Sequence, residues 1–328
     1  MNFEFSFYQD TDYQELKQLV LNSYQWEYPL CGLGRLEFSR GLGPAFSGHY
    51  HAWQHTIGIY RRNQEMIACV WNEGNYDGDV FFLFRTKENA EDEMLLRYMI
   101  KFGKTYANAV GEDKRTNFVN LYVPEWNRVL QELAMQSGFA RRERTEPVYI
   151  LPYERQMFPV VLPDGYCFAD GAATPDFYLS NTHRLSFGYG GSSRACEYGE
   201  QAFHDLRQMS HYKKDFDLCV LDELGCPVAM AMIWYDETMP YCELEPLGVV
   251  WWERRKGIAT ALLYELSNRV MKQYPQCRGM LGSTQEFYQR TGYRKMAETG
   301  CYHWEIEVFP SWVKESAERR YGREAGIV

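Results

Sequence analysis

The chain reads as an α/β protein built from two copies of one strand-and-helix unit, and three observations predict it. Short apolar or alternating runs bounded by Gly, Pro and Asp take turns with segments whose apolar residues recur at helical spacing. These segments follow the same order in both halves. Two Gly-aromatic pairs, Gly138-Phe139 and Gly292-Tyr293, each close a helix and stand 154 residues apart, a period far longer than that of any solenoid repeat. A length of 328 residues suits two domains of ordinary size, and 45% hydrophobic content is enough to give each its own core.

In the amino-terminal half, residues 3–8 alternate as a strand does, and Asp10-Thr11-Asp12 offers a cap for the helix that follows. Residues 31–48 are glycine-rich and read as irregular. Runs 55–60 and 66–72 form a hairpin about the polar turn 61–65, and 79–85 is another strand. A helix over 88–106, a strand over 117–123, a helix over 125–137 and a strand over 147–151 complete the copy.

The segment 153–163 carries two prolines and reads as a linker. Beyond it come a strand over 164–170, a helix cap at Thr174-Pro175-Asp176 and a helical segment interrupted by glycines at 188–191, a stretch with the character of a lid. Runs 216–221 and 228–235 pair across 222–227, and a strand over 241–250 follows. Then come a basic turn, its helix to residue 274, a strand over 277–282, a short helix around Tyr288 and a closing strand over 301–308.

Bulk properties narrow the classes of partner. A formal charge of −9 argues against a nucleic-acid partner and suits a cationic or amine-bearing substrate. The first residues lack the basic and apolar regions of a leader, and no stretch reaches the length of a membrane span, so neither membrane nor export is expected. Nine cysteines without CxxC spacing read as reduced thiols of a cytoplasmic protein. His49, His51 and His55 lack carboxylate or cysteine partners at ligand spacing, so no metal is expected.

The most informative stretch is 244–264. An apolar strand passes through Arg254-Arg255-Lys256-Gly257 into a helix with apolar residues at Ile258, Leu262, Leu266 and Val270. A helix start presents unpaired N–H groups and a positive dipole end, so this order builds an anion site. Gly257 lets the backbone approach, Ala259 keeps the next turn slim, and the three cations add charge. It is neither GxxxxGK[ST] nor GxGxxG. Arg254-x-x-Gly257-x-Ala259 resembles the Q/R-x-x-G-x-G/A motif of the GNAT N-acetyltransferase family, and Phe287-Tyr288-Gln289-Arg290-Thr291-Gly292-Tyr293 resembles that family's LYxxxGF helix.

The resemblance implies two tandem GNAT-like domains, each a mixed, mostly antiparallel twisted sheet flanked by helices. A degenerate copy over 1–152 and the linker 153–163 precede an acetyl-CoA-binding copy over 164–309 and a tail over 310–328. The first copy is acidic where the second has its basic loop, and it has Ala134 where the second has Tyr288. By resemblance, acetyl-CoA would be the co-substrate, held by Leu247, Val249 and Val250 of the strand and by the loop residues Arg254, Arg255, Lys256, Gly257, Ile258, Ala259 and Thr260. Ser283 or Thr284 would take the place of an asparagine that many relatives carry.

Acyl transfer to an amine needs a polarised carbonyl, a base for the amine and a proton for the leaving group. Pro246 and Gly248 interrupt the strand that would present the thioester, as a bulge requires. Glu243 and Glu245 share one face of it, with Glu245, nearer the interruption, the first choice of general base and Glu243 the second. Resemblance makes Tyr288 the general acid and places the acceptor near His183, Arg184, Tyr189 and Tyr198. The expected activity is N-acetyl transfer to a small-molecule amine by a monomer or homodimer. The alternative is a non-catalytic acyl-CoA-binding sensor or scaffold.

Overall fold

Strand pairing runs unbroken from one half of the chain into the other in the computed structural model, which describes residues 3–26, 32–42, 53–74, 78–154, 156–189 and 199–308, the side chains of 38–42 aside. The amino-terminal half contributes β1 (Glu4–Phe7), α1 (Tyr13–Ser23), α2 (Leu33–Leu42), β2 (Gly58–Arg62), β3 (Glu65–Trp71), β4 (Asp79–Phe84), α3 (Lys87–Ala90) and α4 (Glu93–Tyr106). After these come β5 (Ala109–Val110), β6 (Thr116–Pro124), α5 (Arg128–Gln136) and β7 (Ala140–Pro152). The carboxy-terminal half contributes β8 (Cys167–Asp170), α6 (Asp176–Phe187), α7 (Glu200–Arg207), β9 (Asp217–Leu221), β10 (Pro227–Trp234) and β11 (Cys242–Val249). It ends with α8 (Ile258–Gln273), β12 (Gly279–Gly282), α9 (Glu286–Arg290) and β13 (Arg294–Glu307).

Local chemistry accounts for most of these boundaries. The β2–β3 hairpin turns on Asn63 and Gln64, both left-handed at φ 53° and 70°, the backbone that a tight two-residue hairpin requires. The expected helix over 88–106 is broken in two. The side chain of Asp92 accepts from the N–H of Leu95 at 3.1 Å and starts a new helix, α4. From there α4 buries Leu95, Leu96, Met99, Ile100 and Phe102, one stripe at helical spacing. Residues 31–48, expected to be irregular, contain α2.

The strands form one sheet in the order β1-β2-β3-β4-β6-β13-β7-β12-β11-β10-β9-β8, with β5 on β6. The β4–β6 and β11–β12 pairs are parallel and the other pairings antiparallel. The order is a palindrome about its centre: each half lays down its first strands outward in, then gives its last strand to the other half. Thus β13 runs along β6 from Thr299↔Pro124 to Glu307↔Thr116. In return β7 lies along β12 from Gly279↔Pro152 to Gly282↔Tyr149. Packing follows the exchange. Tyr302 of β13 is buried in the amino-terminal core among Val119, Leu121 and Leu133, while Val148, Ile150 and Leu151 of β7 join a buried cluster, with Met280 and Leu281 of β12, that spans both halves.

Candidate active site

β11 pairs with β12 only at Cys242↔Met280 and Glu243↔Leu281. On its other side its register against β10 slips between Ala231↔Leu247 and Ile233↔Leu244, so the extra residue lies at Glu245-Pro246. This is a β-bulge where proline and glycine were expected to make one. The indole of Trp234 donates to the Glu245 carbonyl at 2.7 Å and holds the bulge in place. Gly248 is needed beside it, because a Cβ there would press on Ser186 of α6. The two strands therefore part, and a cavity of about 230 Å³ fills the wedge.

Six residues expected from sequence meet in that cavity: Glu243, Glu245, Leu247, Ser283, Thr284 and Tyr288. The other half closes it with Glu146, Pro147 and Val148 of the exchanged strand β7, and with Gly32 and Arg35 at the start of α2. None of these was legible in the sequence. Gly32-Leu33-Gly34-Arg35 belongs to the stretch that reads as irregular, and what makes it a helix start lies 209 positions away. The Gly34 N–H donates to the Glu243 carboxylate, and the Leu33 N–H donates to Tyr24 Oη at 2.8 Å. Here a carboxylate of one half caps a helix of the other. Gly32 carries no side chain because a Cβ would collide with that carboxylate.

The two carboxyl groups have different surroundings. Burial pushes the Glu243 carboxyl up to about 8, against the N–H donors of α2 that pull it down. Glu245 reaches the cavity surface but is crowded by protein. Burial raises it to about 7, the Arg35 charge opposes that rise, and Glu73 adds to it. Tyr288 keeps its proton, its phenol held above the ordinary range by burial and by the Glu245 charge. Both glutamates thus bind protons more readily folded than unfolded. Their stabilisation is complete below the ordinary carboxyl value of 4.5 and is lost as pH rises through about 7 to 8. Thermal unfolding followed from about pH 5 to 9 is expected to show a falling Tm that falls less in Glu243→Gln, whose amide oxygen still accepts from Gly34. An equal fall in both proteins would remove Glu243 as the source.

Beyond the bulge, β11 ends in a single turn at Trp251–Glu253 and enters the basic loop. Arg255 and Gly257 are left-handed at φ 65° and 87°. The helical ladder of α8 opens with the Ala261 N–H to the Gly257 carbonyl at 3.0 Å, which leaves the N–H groups of Ile258, Ala259 and Thr260 without partners further back in the helix. No side chain caps this start, and a Cβ at Gly257 would meet nothing within 4 Å. A phosphate fits such a cradle. The three cations play unequal parts. Arg254 donates to the carbonyls of Val249, at 3.2 Å, and Ser186, bracing the strand against α6. Lys256 bonds Glu253 at 2.8 Å and Tyr166 at 2.9 Å. Arg255 makes no ion pair with another described residue. The Val250 N–H is used by the Val228 carbonyl at 2.9 Å.

The corresponding place in the amino-terminal half is filled. Asp92 occupies the start of α4 with its own carboxylate and pairs with Arg62 at 2.8 Å. At the position matching Tyr288, Ala134 is buried in the core.

The expected acceptor residues lie on α6 and just after it. His183 is buried against Phe187 and Phe203, and burial lowers its imidazole to about 3, so it stays neutral. Arg184 donates to Asn181 at 2.6 Å, and Tyr189 stacks on Phe187. Among the described residues that line the cavity, Phe187 represents this helix, and His183, Arg184 and Tyr189 do not line it. Tyr198 lies outside the described residues, as do His49, His51, residues 190–193 and the tail 310–328. No helix among the described residues is long and apolar enough to cross a membrane.

Residues 184–293 match the model of the acetyltransferase (GNAT) family. A search of the curated proteins gives no match. Among solved structures, the fold is similar to a GCN5-related N-acetyltransferase from Sphaerobacter thermophilus, with a TM-score of 0.58 and 14% identity over 93% of this chain and 96% of that one. It is equally similar to a tandem GNAT protein from the clavulanic acid biosynthesis pathway, at 0.58 and 13% over 92% and 98%. A GNAT-family acetyltransferase from Colwellia psychrerythraea aligns at 0.52 and 13% over 93% and 100%. At these identities the structures speak for the fold. The family match identifies residues 184–293 as similar to the GNAT acetyltransferase domain, and the structures show that the whole chain shares the fold of such proteins, one of them a tandem GNAT protein.

Proposed function

We propose that the chain transfers an acetyl group from acetyl-CoA to the amine of a small-molecule acceptor, with Glu245 as general base and Tyr288 as general acid. One observation carries the reading: a carboxyl group poised near neutrality and a phenol that keeps its proton face one cavity, in the wedge where β11 leaves β12. Acetyl-CoA would supply an acetyl group on a thioester, and the cradle of Arg255, Gly257 and the N–H groups opening α8 would hold its diphosphate. Within the cavity, Glu245 takes a proton from the ammonium form of the acceptor and Tyr288 has one to give. Leu247, paired with Ala231 of β10 but lying past the last pair between β11 and β12, lines the same cavity. With Glu243 holding its proton, Glu146 and Glu245 still outweigh Arg35 in charge near neutral pH, which favours a cationic amine, and the small volume favours a compact one.

The same reading divides the chain into copies 1–152 and 164–309 joined by 153–163, with the first copy shaping the cleft rather than binding acetyl-CoA. Thiol release from acetyl-CoA with a panel of small primary amines tests the activity, and turnover with at least one is the expected result. With that amine, Tyr288→Phe is expected to lower kcat by about 10²-fold. An unchanged kcat would remove the phenol from the reaction.

A further inference from the structure

Arg35 reaches the cavity from the half of the chain that does not carry the basic loop. Three contacts fix the helix that bears it. The Glu243 carboxylate accepts from Gly34 at the helix start. One turn further on, Glu37 is fully buried and meets His211 Nδ1 at 3.0 Å, while His211 Nε2 meets Asp236 at 2.9 Å. Lys17 of α1 stands 3.7 Å from the same Glu37 oxygen. The guanidinium itself is oriented on two sides. Its Nε pairs with Glu73 at 2.8 Å, and its plane lies 5.0 Å from the ring centre of Phe81. So much anchoring is more than a surface arginine needs.

We infer that Arg35 is a positioning residue for the reaction, supplied by the amino-terminal half, whose guanidinium keeps Glu245 available as the proton acceptor beside the incoming amine. The inference rests on Glu245 being the base. The charged and titratable groups around Glu245 are Arg35 of α2, Glu73 after β3, Glu243 on β11, Tyr288 of α9 and Glu146 of β7. Arg35 is the cation in this set. Without it, burial and the surrounding carboxylates would keep Glu245 protonated at neutral pH. The two halves would then be joined functionally by one charge as well as mechanically by the exchanged strands and this helix.

The test reads Glu245 directly and needs no acceptor. Infrared difference spectra over a pH series follow the protonated-carboxyl band that disappears in Glu245→Gln, and in the wild type this band is expected to titrate near 7. Arg35→Gln is expected to raise its midpoint by about one unit, the low end of what a neighbouring opposite charge does, and Arg35→Lys to restore it. Glu73→Gln, which leaves the guanidinium in place and removes its anionic partner, is expected to lower the midpoint. The thermal shift given by coenzyme A should match the wild type in each. A midpoint that stays put in Arg35→Gln overturns the inference, and if that variant does not fold, a midpoint that fails to drop in Glu73→Gln overturns it instead. Failure of Glu245→Gln to affect turnover would count against the base assignment without touching the titration, so the two failures are distinguishable.

Discussion

Replacing Glu245 with glutamine is expected to lower kcat for the best amine acceptor by about 10² to 10⁴-fold, the usual contribution of a positioned proton acceptor, while coenzyme A still binds. The sign of the pH dependence follows from the surroundings of the carboxyl. Burial raises it to about 7, so the base form gains population as pH rises through neutrality and the rate should climb there and level off above. In Glu245→Gln that climb should vanish. Glu243 is the second choice of base, its carboxylate already accepting from Gly34 at the start of α2. A glutamine variant with wild-type rate and the same acidic limb would remove Glu245 from the mechanism and return attention to Glu243. Steady-state rates of thiol release across pH 5 to 9 decide the matter.

The second large effect is on binding. Gly257→Glu is expected to abolish stabilisation by coenzyme A. At a ligand concentration one hundred times Kd the wild type gains about 2.7 kcal/mol, seen as a rise in Tm, and the variant should gain nothing measurable. Two causes act together. At φ 87° a side chain costs about 1–2 kcal/mol in the left-handed region. A carboxylate placed at the uncapped start of α8 also satisfies the N–H groups that would meet phosphate, as Asp92 already does for α4. A full thermal shift in Gly257→Glu would place the diphosphate elsewhere.

What the sequence disclosed was local. The basic loop, the bulge at Pro246 and Gly248, the two glutamates and Tyr288 all lie within a few residues of the features that reveal them, and each pattern is set by backbone rules that act over one turn or one strand. What stayed hidden was set by partners far along the chain. Nothing near Gly32 or Gly34 indicates a helix, since the group that caps it is Glu243. Alternation makes β7 and β13 strands but cannot say which neighbour a strand will choose, so the exchange and the lining it brings from Glu146 to Val148 were invisible. On α6, helical spacing places Phe187 one turn after His183, yet only the packed fold shows that the former reaches the cavity and the latter is sealed in the core.

The exchange of β7 and β13 also orders the birth of the molecule. The amino-terminal sheet leaves the ribosome first, but β6 must wait for a strand synthesised more than 150 residues later, at the end of the described chain. Until β13 has been made, its place on β6 is an open hydrogen-bonding edge, and closing it is among the most non-local steps a fold of this size can require. A nascent chain of this kind acquires its cleft late and all at once, when both halves are already present to build it.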